Sequence, residues 1–105
     1  MLDDLADQLH ETATTKGFWP ENIDDIFIAK QCMMIVSEVT EMMEAIRKDK
    51  GEEEIAMETA DIFIRTLDLY AGLVEAGYTT ISLDYALQEK ANINKDRPQK
   101  HGVRF

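Results

Sequence analysis

The sequence predicts an all-α fold, and three observations carry that prediction. Apolar residues recur at three- and four-residue spacing through four segments. No segment alternates apolar and polar residues between hairpin turns. Gly17, Pro20, Gly51, Gly77 and Pro98 mark the breaks between the periodic segments.

The first helix spans Leu2 to about Thr15, with Leu2, Leu5, Ala6 and Leu9 at helical spacing. Gly17 ends it. Phe18-Trp19-Pro20 forms a connector, because the proline ring disfavours helical backbone at Trp19. A second helix starts near Asn22 or Asp24, either of which can cap it, and runs to about Lys50. Arg47, Lys48 and Lys50 suit its negative end, and Gly51 closes it. Glu52, Glu53 and Glu54 suit the positive start of a third helix, which stops at Gly77. Thr79 or Thr80 caps a fourth helix that continues to about Asn94, and Asp96-Arg97-Pro98 ends it. Two long central helices joined by a short turn predict an antiparallel helical hairpin. A chain of 105 residues makes a single domain, 1–105, with a basic irregular tail from about residue 95.

The third helix predicts an assembly. Ile62, Phe63, Ile64, Leu67, Leu69, Tyr70, Leu73 and Val74 lie on most of its circumference. A helix that is apolar nearly all round must be buried nearly all round, and four helices of one chain can hardly achieve that. A homodimer or homotetramer with this helix at the interface is expected.

The net charge is −10. That argues against a general nucleic-acid coat and against docking on anionic membranes. The balance reverses from Lys90 onward, where Lys90, Lys95, Arg97, Lys100 and Arg104 stand against Asp96 alone. Metal-binding carboxylates and anion-binding cations in one small chain suit a metal–polyphosphate ligand. The single cysteine, Cys32, excludes an internal disulfide and a cysteine zinc site. Its neighbours Met33, Met34, Ile35 and Val36 predict a buried thiol. No basic stretch followed by an apolar run opens the chain, and no segment approaches ~18 uncharged apolar residues. The expected compartment is the cytoplasm.

The central helices carry acids among apolar residues, as Glu38-x-x-Glu41 and Glu58-x-x-Asp61. Residues three apart share a helix face, so two such pairs on adjacent antiparallel helices can meet around one point. Two charges ~4 Å apart repel by about 4 kcal/mol at an effective dielectric near 20. Such a group must be separated in water, partly protonated, or held by a cation. Oxygen ligands without Cys or His favour Mg²⁺ or Mn²⁺, with Ca²⁺ a further hard cation that suits them, over softer metals. His10 and His101 follow no Glu-x-x-His pattern, so a di-iron bundle is a poor fit. The ordinary alternative is a solvated stripe of Glu54, Glu58, Asp61, Arg65 and Asp68, with Arg65 pairing Asp61. Glu44 and Glu75 read as simple surface acids.

Glu38-x-x-Glu41, sixteen intervening residues, then Glu58-x-x-Asp61 on a helical hairpin resembles the MazG-like all-α nucleotide pyrophosphatases. That superfamily includes the dimeric dUTPases and the phosphoribosyl-ATP pyrophosphatases. Lys90-x-x-x-Asn94-x-x-Arg97-Pro98-x-x-His101-Gly102 is similar to the C-terminal signature of its small members, and Thr15-Lys16-Gly17-Phe18 is also similar. The resemblance implies Mg²⁺-dependent cleavage of nucleoside triphosphates between the α and β phosphates by dimers or pairs of dimers. It implies Glu38, Glu41, Glu58 and Asp61 as metal ligands, and Lys90, Asn94 and Arg97 as phosphate contacts.

The residues suit that chemistry. A carboxylate not committed to metal can take a proton from water, and Glu38 and Glu41 are the candidates. Arg97 offers bidentate phosphate contacts and Lys90 a point charge. Trp19, with Phe18, offers an aromatic face for a base, or else packs as core. His10, Lys16 and Asp68 are the remaining candidates for base or ribose contact. No Gly-x-x-x-x-Gly-Lys loop is present. The rival reading is a non-catalytic helical dimerisation module whose acids keep it dissolved. Within the superfamily, a dUTPase or a phosphoribosyl-ATP pyrophosphatase stays open.

Overall fold

The structure is a computed structural model that describes residues 1–97. It contains four helices: α1 (Leu2–Thr15), α2 (Asp25–Arg47), α3 (Glu52–Glu75) and α4 (Leu83–Asp96). No strand occurs among the described residues, so the fold is all-α. Pro98, Lys100, His101, Gly102 and Arg104 of the expected basic tail lie outside the described residues.

Local chemistry sets the helix ends. Asp24 caps α2, its carboxylate accepting the Phe27 N–H at 2.8 Å. The helix stops short of the expected Lys50 because Asp49 takes the left-handed conformation, with φ 51°. Gly51, at φ 100°, then starts α3 in a conformation that a side chain would strain. At α4 the expectation is corrected: Ser82, not Thr79 or Thr80, is the cap. Its hydroxyl accepts the Tyr85 N–H at 3.2 Å, whereas Thr79 Oγ1 accepts from the Ile81 N–H within the preceding turn.

Ser82 prevails because the start of α4 is tied to the start of α1. Asp3 accepts from the Ser82 hydroxyl at 2.7 Å and from the backbone N–H groups of Leu83 and Asp84 at 2.8 and 3.1 Å. Asp84 returns the bond, accepting from the N–H groups of Leu2 and Asp3 at 3.0 and 3.1 Å and from the Met1 amino group at 2.9 Å. Each aspartate thus satisfies the unpaired N–H groups that open the other's helix. The Met1 amino group, then the Asp3 and Leu2 N–H groups, hold the Asp84 carboxyl well below the usual carboxylate range. Asp3→Ala is expected to lower the melting temperature by roughly 4–8 °C, the size of a lost cap in a domain this small. Asp84 has a depressed folded pKa, so its contribution is present above the ordinary aspartate value and is lost as the pH falls towards the folded one. Acid melting curves should therefore converge for wild type and Asp84→Asn. Parallel curves down to the acid limit would refute the role given to Asp84.

α3 is the central element, with α1 and α2 both packed on it. On one side Ala6 of α1 meets Leu67 and Ala71 of α3, flanked by Leu2, Leu9 and Leu83. On the other, Ala45 of α2 is buried, and Thr59 Oγ1 of α3 lies 3.0 Å from Met42 Sδ. This core is small, and among the described residues no large side chain is fully buried. Met33, Val36, Met43 and Ile46 of α2 and Met57 and Phe63 of α3 are exposed. Cys32 is exposed too, which corrects the expected buried thiol. Among the described residues, no other helix covers that side of α2. Among the described residues, no helix is long and apolar enough to cross a membrane.

Candidate metal and substrate site

The two acidic pairs meet where α2 crosses α3. Carboxylate oxygens of Glu38, Glu58 and Asp61 lie within 4.8 Å of one another. The fourth member, Glu41, is exposed and stands beside Glu58 rather than inside that trio. Burial foremost, and then the Glu41 carboxylate with Asp61 and Glu54 behind it, push the Glu58 carboxyl up. Glu58 Oε2 is buried and has no hydrogen-bond partner. An unpaired buried carboxylate oxygen facing other carboxylates is the electrostatic condition that a cation relieves. The donors are all oxygen, so the residues fit Mg²⁺ or Mn²⁺.

Arg65 does not pair Asp61, as the surface-stripe reading expects. Its Nε donates to Glu38 Oε1 at 2.9 Å. The Glu38 side chain is only 12% exposed, and Asp61 on the same helix is exposed. A carboxylate drawn out of water gains more from a counter-charge than a hydrated one does. Glu44 is similarly tied, by Arg47 at 2.9 Å and Lys48 at 3.3 Å, and these pairs hold its carboxyl below its ordinary value.

Beside the acids lies a pocket of about 370 Å³, walled by Lys16, Phe18, Glu38, Asp61, Arg65 and Asp68. That is the range of small-molecule sites, about 300–1,000 Å³. Two cations and an exposed aromatic ring therefore face the carboxylates. Lys16 comes from the end of α1, and the turn after it brings Phe18 to the opening. Arg65 was missing from the sequence candidates. Its signal was its place four residues after Asp61, on the acidic face.

His10, Trp19 and Asp68 form a connected group behind this pocket. His10 is buried, with Nδ1 2.8 Å from Asp68 Oδ1 and Nε2 2.8 Å from Glu75 Oε2. Glu75 is therefore more than a surface acid, though its side chain remains exposed. His10 stands four residues after Ala6, on the row of α1 that faces α3, and that spacing was the available signal. Trp19 Nε1 donates to Asp68 Oδ1 at 3.0 Å. Its ring meets His10 and Phe27 edge-on at 4.6 and 5.1 Å, and lies against Gly72 of α3. Asp68, held by His10 and Trp19, is the member that lines the pocket.

A Cβ at Gly72 would overlap the six-membered ring of Trp19. Gly72→Ala is expected to destabilise the fold by about 1–3 kcal/mol and to red-shift the tryptophan emission as the ring is displaced. Unchanged emission would show that Trp19 does not occupy this seat.

Lys90, Asn94 and Arg97 stand exposed at the end of α4, and none of them lines the pocket. The chain thus gathers Glu38, Glu58 and Asp61, with Glu41, Lys16, Asp68 and the His10–Trp19 pair close by, and leaves the phosphate trio apart. No family model, curated protein or solved structure matches the chain.

Proposed function

We propose that the protein is a Mg²⁺-dependent hydrolase of MazG-like type. Its substrates are nucleoside or deoxynucleoside triphosphates of the cytoplasmic pool, cleaved between the α and β phosphates to the monophosphate and pyrophosphate. One observation carries the reading: a partnerless Glu58 oxygen among facing carboxylates, next to a pocket that Lys16 and Arg65 also line.

Glu38, Glu58 and Asp61 would hold the metal, with Glu41 at the edge of the set. When bound, Mg²⁺ supplies charge neutralisation on the phosphate oxygens. Lys16 and Arg65 face the same space and neutralise the remaining phosphate charge. Glu38 is committed to Arg65, so of the two candidate bases Glu41 is the one free to accept the proton of the attacking water. The water oxygen joins the α phosphorus as its bridging bond to the β phosphate breaks, and pyrophosphate leaves with the bridging oxygen and its electron pair.

The exposed apolar surfaces of α2 and α3 support assembly through the central antiparallel hairpin into a dimer or dimer of dimers. In such an assembly Lys90, Asn94 and Arg97 would reach the phosphates of a neighbouring copy. Pyrophosphate release from eight NTPs and dNTPs with Mg²⁺, beside a Mg²⁺ titration of thermal stability, tests the reading. Release with stabilisation is expected. Neither response would leave the dimerisation module as the better account.

A further inference from the structure

We infer that a second cavity, against the first turns of α2, is a nucleobase subsite that favours bases presenting carbonyl oxygens over adenine. The inference rests on the nucleotide reading above and names which nucleotides the site takes. The cavity holds about 250 Å³ and is lined by Phe18, Trp19, Lys30, Gln31, Met34 and Arg65, with Asp68 completing it. Phe18, Arg65 and Asp68 line the larger pocket as well. The two cavities are therefore neighbours across a shared wall.

The spacing along α2 connects them to one ligand. Gln31, Met34 and Glu38 follow at steps of three and four residues, on one face of the helix. Seven residues at 1.5 Å each place Gln31 about 10 Å along the axis from Glu38. An extended nucleotide spans such a distance between its base and its second phosphate. A base held near Gln31 would thus lay its phosphates towards Glu38, Glu58 and Asp61.

The wall has the chemistry of a base site. Phe18 is 68% exposed and shares the cavity with Met34, giving an apolar surface for a flat ring. Lys30 offers only N–H donors, Gln31 offers an amide that donates and accepts, and Arg65 has N–H groups beyond the Nε on Glu38. The one carboxylate, Asp68, already accepts from His10 and Trp19. Donors therefore exceed open acceptors. Uracil, thymine and guanine present carbonyl oxygens to such a wall. Adenine presents an exocyclic amine where guanine has a carbonyl, and brings a donor against donors.

Trp19 is the chain's one tryptophan, so its emission reports occupation of this cavity without any turnover. Binding of uridine, guanosine and adenosine 5′-monophosphates would be titrated by Trp19 fluorescence in the wild type, Lys30→Ala, Gln31→Ala and Gln31→Glu. Pyrophosphate release from the matching triphosphates would be followed in parallel. The uridine and guanosine nucleotides are expected to bind at least about tenfold tighter than the adenosine one. Lys30→Ala and Gln31→Ala should each shrink that ratio, and Gln31→Glu, by adding an acceptor, should shift it towards adenosine. A ratio near one in the wild type, or a ranking that none of the variants moves, overturns the subsite. Base preference that obeys the variants without pyrophosphate release upholds the subsite and overturns the hydrolytic reading alone. Release whose base ranking ignores them does the reverse.

Discussion

Glu58→Gln is expected to lower Mg²⁺-dependent pyrophosphate release by a factor on the order of 10²–10⁴, while leaving the metal-free protein at least as stable as the wild type. The two effects have one cause. Glu58 Oε2 is buried without a partner, and its neighbours are carboxylates. Glutamine has nearly the same shape, carries no charge, and can donate an N–H towards Glu41. The repulsion falls, so the unliganded fold gains. The same change removes a charged oxygen ligand, so Mg²⁺ should raise the melting temperature of the wild type and not of the variant. A stabilisation by Mg²⁺ that survives Glu58→Gln would place the ion elsewhere. Glu41→Gln provides the contrast. It should abolish turnover to a similar degree while retaining most of the Mg²⁺ stabilisation, because Glu41 lies outside the tight trio.

The second large effect is on assembly. Phe63→Glu is expected to weaken self-association by on the order of a thousandfold or more. Phe63 is 60% exposed in the single chain, with Met57 on the same helix and Met33, Val36 and Met43 of α2 also uncovered. Covering one large apolar side chain contributes about 1.5–3 kcal/mol, and a carboxylate trapped in its place costs further. In a two-fold interface each substitution counts twice. Sedimentation velocity at micromolar concentration should show a dimer or tetramer for the wild type and a monomer for the variant. A monomeric wild type would sink the assembly, and with it the route that brings Lys90, Asn94 and Arg97 to a neighbour's phosphates.

What could be read from the sequence was local. Breakers and three-to-four spacing are properties of adjacent residues, so the four helices emerged with their approximate limits. The acidic pairs were legible for the same reason, since three residues fix a shared helix face. The errors lie where a choice between neighbours depends on another element. Thr79 and Thr80 were the expected caps, and Ser82 displaces them because Asp3, far away in the chain, meets the Ser82 hydroxyl. Arg65 had a partner within reach on its own helix and took the less hydrated Glu38 across the contact instead. Cys32 looked buried because its sequence neighbours are apolar, yet a helix turns those neighbours in several directions. The division of labour between Phe18 and Trp19 was also out of reach. It depends on Gly72, whose missing side chain leaves the space that the indole fills.

The paired aspartates at the starts of α1 and α4 also bear on the order in which parts of the molecule let go. They join residues about eighty positions apart, and α4 has no buried residue of its own. Polar bonds at one end, helped by Leu83 against the core and by the Tyr70 hydroxyl on the Ile81 carbonyl, are what fasten it. The clasp covers little apolar area, so it is expected to open at a lower free energy than the α1–α3 and α2–α3 contacts. The fourth helix is in that sense a hinged arm on a settled three-helix body.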